Sequence, residues 1–147
     1  MKPVIQKIII AGVVIQDEKI LIIQRGTDED IFPNLWEIPS GKREHFEKSQ
    51  DALAREFKEE TGIKVRPIMP VDVFEFRVEK EDEIRDATQI SFLCKPIGKP
   101  NIKLSHEHQN FAWIKENELD KYNLSKETKE AISKAFKLLK IVSNNLQ

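Results

Sequence analysis

A chain of 147 residues is long enough to bury a real core and is expected to fold as one domain, residues 1–147. Its formal net charge of −1 offers no basic surface for a polyanion, so nucleic acid is not an expected partner. A single cysteine, Cys94, excludes a disulfide framework, and no apolar run approaches the roughly 20 residues of a membrane helix; the expectation is a soluble, cytoplasmic protein with no membrane partner.

Ile8 to Ile15 is rich in β-branched residues and predicts a strand buried on both faces. Gly12 within it points to close approach by another backbone or a ligand. Asp17-Glu18-Lys19 makes a short turn, and Ile20 to Gln24 is the returning strand of a hairpin. Arg25 stands at that strand's end, either as a rim charge or as a contact to a phosphate or base. Thr27 to Leu35 is a polar loop. In Trp36-Glu37-Ile38-Pro39-Ser40-Gly41, Pro39 fixes its own φ and holds Ile38 extended, while Gly41 allows a positive φ or close approach to a ligand.

A helix is expected from near Ser49, the best available N-cap, to Gly62, which supplies a left-handed C-cap. Leu53 and Phe57 form the stripe that faces the sheet, and Ile63 re-enters the core. Glu56, Glu59 and Glu60 fall at i, i+3 and i+4, so their carboxylates share one face. Like charges so placed destabilise a helix by about a few tenths of a kcal/mol per pair, relieved in part by Arg55 and Lys58. A hard divalent cation would relieve them further, because Mg²⁺ and Mn²⁺ take oxygen ligands and leave positions open for water and phosphate. Three carboxylates by themselves fit a solvated helix face equally well.

Val71 to Val78 alternates as a strand, Glu79 to Asp86 reads as a solvated hairpin loop, and Ala87 to Lys95 returns with Ile90, Phe92 and Cys94 on one face. Cys94 is read as a small core residue. A polar loop carrying Glu107 then precedes a short strand with Phe111 and Trp113, and His106 and His108 are read as flanking loop residues. Glu116 to Leu119 makes a helical turn. Ser125 caps a final helix, Lys126 to Val142, whose stripe Ala131, Ile132, Ala135, Phe136, Leu139 and Val142 should pack opposite the first helix. Ser143 to Gln147 is expected to fray.

The frame around the helix carboxylates narrows the choice. From Gly41 to Ile63 the chain fits G-x(5)-E-x(7)-R-E-U-x-E-E-x-G-U, with U bulky and apolar: Gly41, Glu47, Arg55, Glu56, Phe57, Glu59, Glu60, Gly62 and Ile63 all stand in place. This resembles the signature of the Nudix hydrolases. Related sequences commonly carry Pro-Gly-Gly where this one has Pro39-Ser40-Gly41, and often flank the Glu47 position with Gly and Ser or Thr, where this one has Phe46 and Lys48.

The resemblance covers nearly the whole chain and implies an α+β fold, a mixed β-sheet sandwiched between α-helices. It also implies cleavage of a nucleoside diphosphate linked to another group. Mg²⁺, with Mn²⁺ as a substitute, would be held by Glu56, Glu59, Glu60 and the Ser40 carbonyl. Glu107 would be a further metal ligand or the general base, a role also open to the helix glutamates. Arg55 would orient Glu56 by a charge-assisted hydrogen bond, Glu47 would support the loop or reach the metal through water, and Arg25 and Gly41 would face the substrate.

Trp36-Glu37-Ile38-Pro39 is similar to MutT-type nucleoside triphosphate pyrophosphohydrolases and to ADP-ribose pyrophosphatases, whereas Leu104 to Trp113 is similar to diadenosine tetraphosphate hydrolases. The short chain favours a nucleoside triphosphate, oxidised ones included, since many ADP-ribose enzymes carry an extra N-terminal domain for dimerisation. ADP-ribose and diadenosine polyphosphates are the alternatives. A non-catalytic nucleotide sensor on the same scaffold is a further one, although such modules usually show a broken signature. The expected partner is a small nucleotide, bound by a monomer or a homodimer.

Overall fold

The computed structural model describes residues 1–145. Strands β1 (Val4–Gln16) and β2 (Lys19–Arg25) form the expected hairpin. Gln16 pairs with Lys19, so the turn holds only Asp17 and Glu18, at φ 53° and 63°. That two-residue geometry matches the twist of the flanking strands. β1 extends well before its apolar run because it pairs in parallel with a later strand, β6 (Ile84–Pro96), from Val4↔Ile84 to Val14↔Cys94. Burial on both faces holds from Ile10 to Ile15, while Ile8 is exposed.

Four further strands complete the sheet. β3 (Trp36–Glu37) pairs with β2, and β4 (Ser40–Lys42) pairs antiparallel with β1 through Ala11↔Ser40 and Ile10↔Gly41. β5 (Val65–Glu79) runs antiparallel to β6 at the end of the sheet. β5 starts before the expected Val71, and its register shifts at Pro67/Met69 and Pro70/Asp72. An edge strand tolerates both prolines because no neighbour needs their missing N–H groups. The expected loop from Glu79 to Asp86 is a tight turn instead: Lys80 N donates to Glu83 O at 2.8 Å, and Ile84 to Asp86 already lie in β6. β7 (His108–Lys115) lies along β2.

The helices α1 (Ser49–Thr61) and α2 (Lys126–Asn145) cover opposite faces of this mixed sheet, giving the α+β architecture expected. Alternation along β1 decides which side chain meets which helix. Ile10 and Val14 join Phe92, Cys94, Leu53 and Phe57 under α1. Ala11, Val13 and Ile15 join Leu93, Ile132, Ala135 and Phe136 under α2. Gly12 is bare because the Phe57 ring fills the space a Cβ would need, and its N–H donates to the Pro39 carbonyl at 3.0 Å.

α1 ends as expected: Gly62 takes φ 75° and its N–H reaches Lys58 O at 3.0 Å. Its start differs. Lys48 occupies the N-cap without a side-chain cap bond, and Ser49 is already helical. The preceding residue, Glu47, is held by Arg55 from within the helix, which sets where the chain enters it. Ser125 does cap α2, its Oγ accepting from Thr128 N at 3.1 Å. α2 continues through Asn145 where fraying was expected from Ser143 onward; Leu146 and Gln147 lie outside the described residues.

Candidate active site

The site is built where β4 passes under α1. Gly41 pairs with Ile10, and the Glu56 carboxylate fills the space where a Cβ on Gly41 would stand. Its φ is not left-handed, so close approach, not backbone strain, explains this glycine. Arg55 then ties three segments together. Its Nε and Nη2 donate to the two Glu47 oxygens at 2.9 and 3.0 Å, Nη1 donates to Glu56 Oε1 at 2.8 Å, and Nη2 also reaches Lys42 O at 3.0 Å. Such a two-pronged guanidinium–carboxylate contact fixes geometry as well as adding energy.

Glu47 braces the loop. Besides Arg55 it accepts Glu44 N at 3.0 Å, while Arg43 Nε donates to its carbonyl at 2.7 Å. The Arg55 side chain, followed by the Glu44 backbone, holds the Glu47 carboxyl down at about 2. Phe46 beside it takes φ 64°, the conformation that a glycine adopts freely, and its side chain is fully exposed. Phe46 therefore holds this loop conformation at some backbone strain.

Burial dominates two of the helix carboxylates, Glu56 and Glu60. Glu60 is 8% exposed, and burial, reinforced by Glu37, Glu56 and Glu107, raises its carboxyl well above the usual range. Glu56 is raised by burial and by Glu59 and Glu107, with Arg55 opposing. Glu60 Oε2 is buried and has no hydrogen-bond partner. Glu59 points outward, 58% exposed, with Arg55 Nη1 at 3.5 Å. Among the described residues no group of three or more His, Cys, Asp or Glu side chains already surrounds one point as metal ligands do. The donor set nonetheless fits a hard cation: all oxygens, one of them an unpaired buried acceptor, beside a backbone stripped of its Cβ.

Next to them, Ser40 and Gly41 open onto a cleft of about 540 Å³, within the range of roughly 300–1,000 Å³ typical of small-molecule sites. Arg25, Glu37, Ser40, Gly41 and Glu107 line one part of it; Lys7, Lys42, Arg85, Phe74 and Phe76 line another. Glu107 projects from its loop, anchored where its carbonyl accepts Gly26 N at 2.9 Å. Arg25 lines the cleft but also turns inward: its Nε donates to Ile31 O at 2.7 Å, and Nη1 lies 3.6 Å from Glu37 Oε2. Ser40, Gly41, Arg25 and Glu107 thus share one cleft, which Glu47, Arg55, Glu56, Glu59 and Glu60 do not line; Glu56 lies behind it, against Gly41.

Two residues were missed from sequence. His108 is not a flanking loop residue: it opens β7, is 6% exposed, and sits between Glu37 and Glu60. The β2–β7 register slips at Gln24/Arg25, next to His108, so strand alternation counted back from Ile114 does not announce it. Glu37 carried no signal either, since β3 is two residues long. His106 stays exposed in the loop as read.

Residues 7–136 match the NUDIX domain. The chain belongs to the Nudix family. It is 28% identical over 140 residues to the nucleoside triphosphatase NudI of Escherichia fergusonii, covering 87% of this chain and 95% of that protein. Among solved structures, the MutT protein from Methanosarcina mazei Go1 superposes with a TM-score of 0.75 at 22% identity, covering 95% of this chain and 97% of that one. The E. coli ORF135 protein does so at 0.67 with 26% identity, covering 94% and 91%. The protein is accordingly a Nudix-type diphosphate hydrolase, of a family that acts on small nucleotide substrates and generally uses divalent cations. Among the described residues no helix is long and apolar enough to cross a membrane.

Proposed function

We propose that this Nudix domain, residues 1–147, hydrolyses nucleoside triphosphates, oxidised ones included, to the monophosphate and pyrophosphate with Mg²⁺. The residues that would hold the ion are Glu56, Glu59, Glu60, Glu107 and the Ser40 carbonyl, and Mn²⁺ would serve in its place. The observation that carries this reading is the buried, unpartnered Oε2 of Glu60 beside a nucleotide-sized cleft. The name of its NudI relatives supports the triphosphate.

When bound, the ion supplies charge neutralisation on the phosphates and a more acidic water. The chain's own residues do the positioning. Arg55 holds Glu56 in one rotamer and, through Glu47, clamps the loop to the helix. The bare Gly41 lets that carboxylate come down onto β4. Glu107, at the cleft, or a helix glutamate accepts the proton of the attacking water. Phe74 and Phe76 offer ring faces to a base, while Lys7, Lys42 and Arg85 attract an anion into the cleft. The protein works in the cytoplasm, where its free Cys94 stays reduced, as a monomer or homodimer needing neither nucleic acid nor membrane.

The test is product release from a panel of dNTPs, oxidised dGTP, ADP-ribose and diadenosine polyphosphates with Mg²⁺, beside Glu59→Gln and Glu60→Gln. Pyrophosphate release from the triphosphates, fastest in the panel and lost in both variants, is the expected result. Faster cleavage of ADP-ribose or a diadenosine polyphosphate would overturn the substrate, and undiminished turnover by the variants would overturn the site.

A further inference from the structure

Glu37 and His108, which lie outside the signature, adjoin its buried Glu60. The His108 side chain is 1% exposed, with Nε2 at 2.9 Å from Glu37 Oε2 and Nδ1 at 3.8 Å from Glu60 Oε2. An ionised carboxylate can only accept, so Nε2 carries the hydrogen shared with Glu37. Glu37 is anchored in turn by Arg25, which is itself bound to the Ile31 carbonyl. The imidazole is therefore fixed from one side. On its other side, Nδ1 and Glu60 Oε2 face each other, both buried and both without a hydrogen bond. Buried polar atoms are nearly always paired, so two left open facing each other call for a partner such as a shared proton or a cation.

Resting on the metal-dependent reading above, we propose that His108, locked by Glu37, is the positioning residue of Glu60. Its ring walls one side of the carboxylate, so that Glu60 presents a single orientation to the ion. The Arg55–Glu56 contact does the same for the neighbouring carboxylate from the opposite end of the helix turn. The two ligands are then held by two independent anchors, one from the signature and one from β3 and β7. Loss of a group that orients a metal ligand commonly lowers metal affinity ~10–100-fold.

The experiment is calorimetric titration of Mn²⁺, without nucleotide, into wild type, His108→Phe, Glu37→Ala, the double variant and Glu60→Gln. His108→Phe and Glu37→Ala should each weaken binding by ~10-fold or more. The double variant should be no worse than the poorer single one, because the two residues act as one unit. His108→Gln, whose amide can still donate to Glu37, should recover part of the affinity. In turnover by His108→Phe, whose side chain does not line the cleft, the Mn²⁺ concentration for half-maximal rate should rise while the nucleotide KM holds. If His108→Phe lowers the melting temperature, Glu37→Ala, which trims a partly exposed side chain, carries the test. Wild-type Mn²⁺ affinity in His108→Phe and Glu37→Ala, with Glu60→Gln impaired, would reduce His108 to packing and overturn the inference. Wild-type affinity in Glu60→Gln itself would instead remove Glu60 from the ion and take the underlying reading with it.

Discussion

The carboxylate of Glu56 rests on the bare Cα of Gly41, in space that a Cβ at position 41 would fill. Because β4 is a short strand paired with β1, a methyl group there has little room to push the backbone away, and Glu56 must move instead. Moving it also breaks the 2.8 Å bond from Arg55. Gly41→Ala should keep its far-UV circular dichroism while turnover falls ~10–100-fold, the scale of a displaced metal ligand. A folded Gly41→Ala enzyme with unchanged kcat would show that the position of Glu56 does not matter to the reaction.

The loop before α1 holds two correctable weaknesses. Phe46 sits at φ 64° with its ring in solvent, and Lys48 caps the helix without a side-chain bond. Phe46→Gly should stabilise the fold by about 1 kcal/mol, since a left-handed non-glycine residue costs roughly 1–2 kcal/mol and no buried contact is lost. Lys48→Ser should add about 0.5–1 kcal/mol through a cap to the first-turn N–H groups. Urea unfolding with the cation chelated measures both. No gain from either change would mean that the loop relaxes to another geometry in solution.

Glu47 and Arg55 make a pH-sensitive clamp. Its direct contacts to Arg55 lower the Glu47 carboxyl from 4.5 to about 2, so the folded state binds this proton less readily than the unfolded one. The clamp's stabilisation is thus complete above pH 4.5 and is lost as pH falls through about 2. Carbon-detected NMR titration should find Glu47 as the most acid-shifted glutamate. In Arg55→Lys, which cannot grip both oxygens, its titration should return toward 4.5. An ordinary Glu47 titration in wild type would remove the clamp.

What could be read in advance was what local spacing encodes. The helix from Ser49 to Gly62 carries its own period, stripe and stop, and its carboxylates share a face by geometry alone. The two-sided burial of β1 follows from its β-branched run. What stayed hidden depends on pairing across the chain. Pro67 and Pro70 masked the first half of β5, because only the register with β6 shows that the strand steps past each of them. Parallel pairing with Val4 to Gln6 draws Ile84 to Asp86 out of an apparent charged loop. Glu37 and His108 meet across 71 residues, and nothing local announces either one as a neighbour of Glu60.

Glu60 should also show opposed effects on stability and activity. Burial raises its carboxyl well above the usual range, so the native state binds this proton more readily than the unfolded state. For this group the metal-free protein is at its most stable below pH 4.5 and loses stability as pH rises toward the raised folded value. Glu60→Gln removes that dependence, and at pH 8 in a chelator it should be the more stable protein by ~1–3 kcal/mol, the usual cost of an unsatisfied buried group. It should at the same time lose Mg²⁺-dependent turnover. Mg²⁺ should raise the melting temperature of wild type at pH 8 and leave Glu60→Gln almost unmoved, because only a ligand bound by the native state stabilises it. Paired melts at pH 5 and pH 8, with and without Mg²⁺, read all of this. A Glu60→Gln protein less stable than wild type at pH 8 without metal would show that the carboxylate is already satisfied in the folded chain and has no vacancy for a cation.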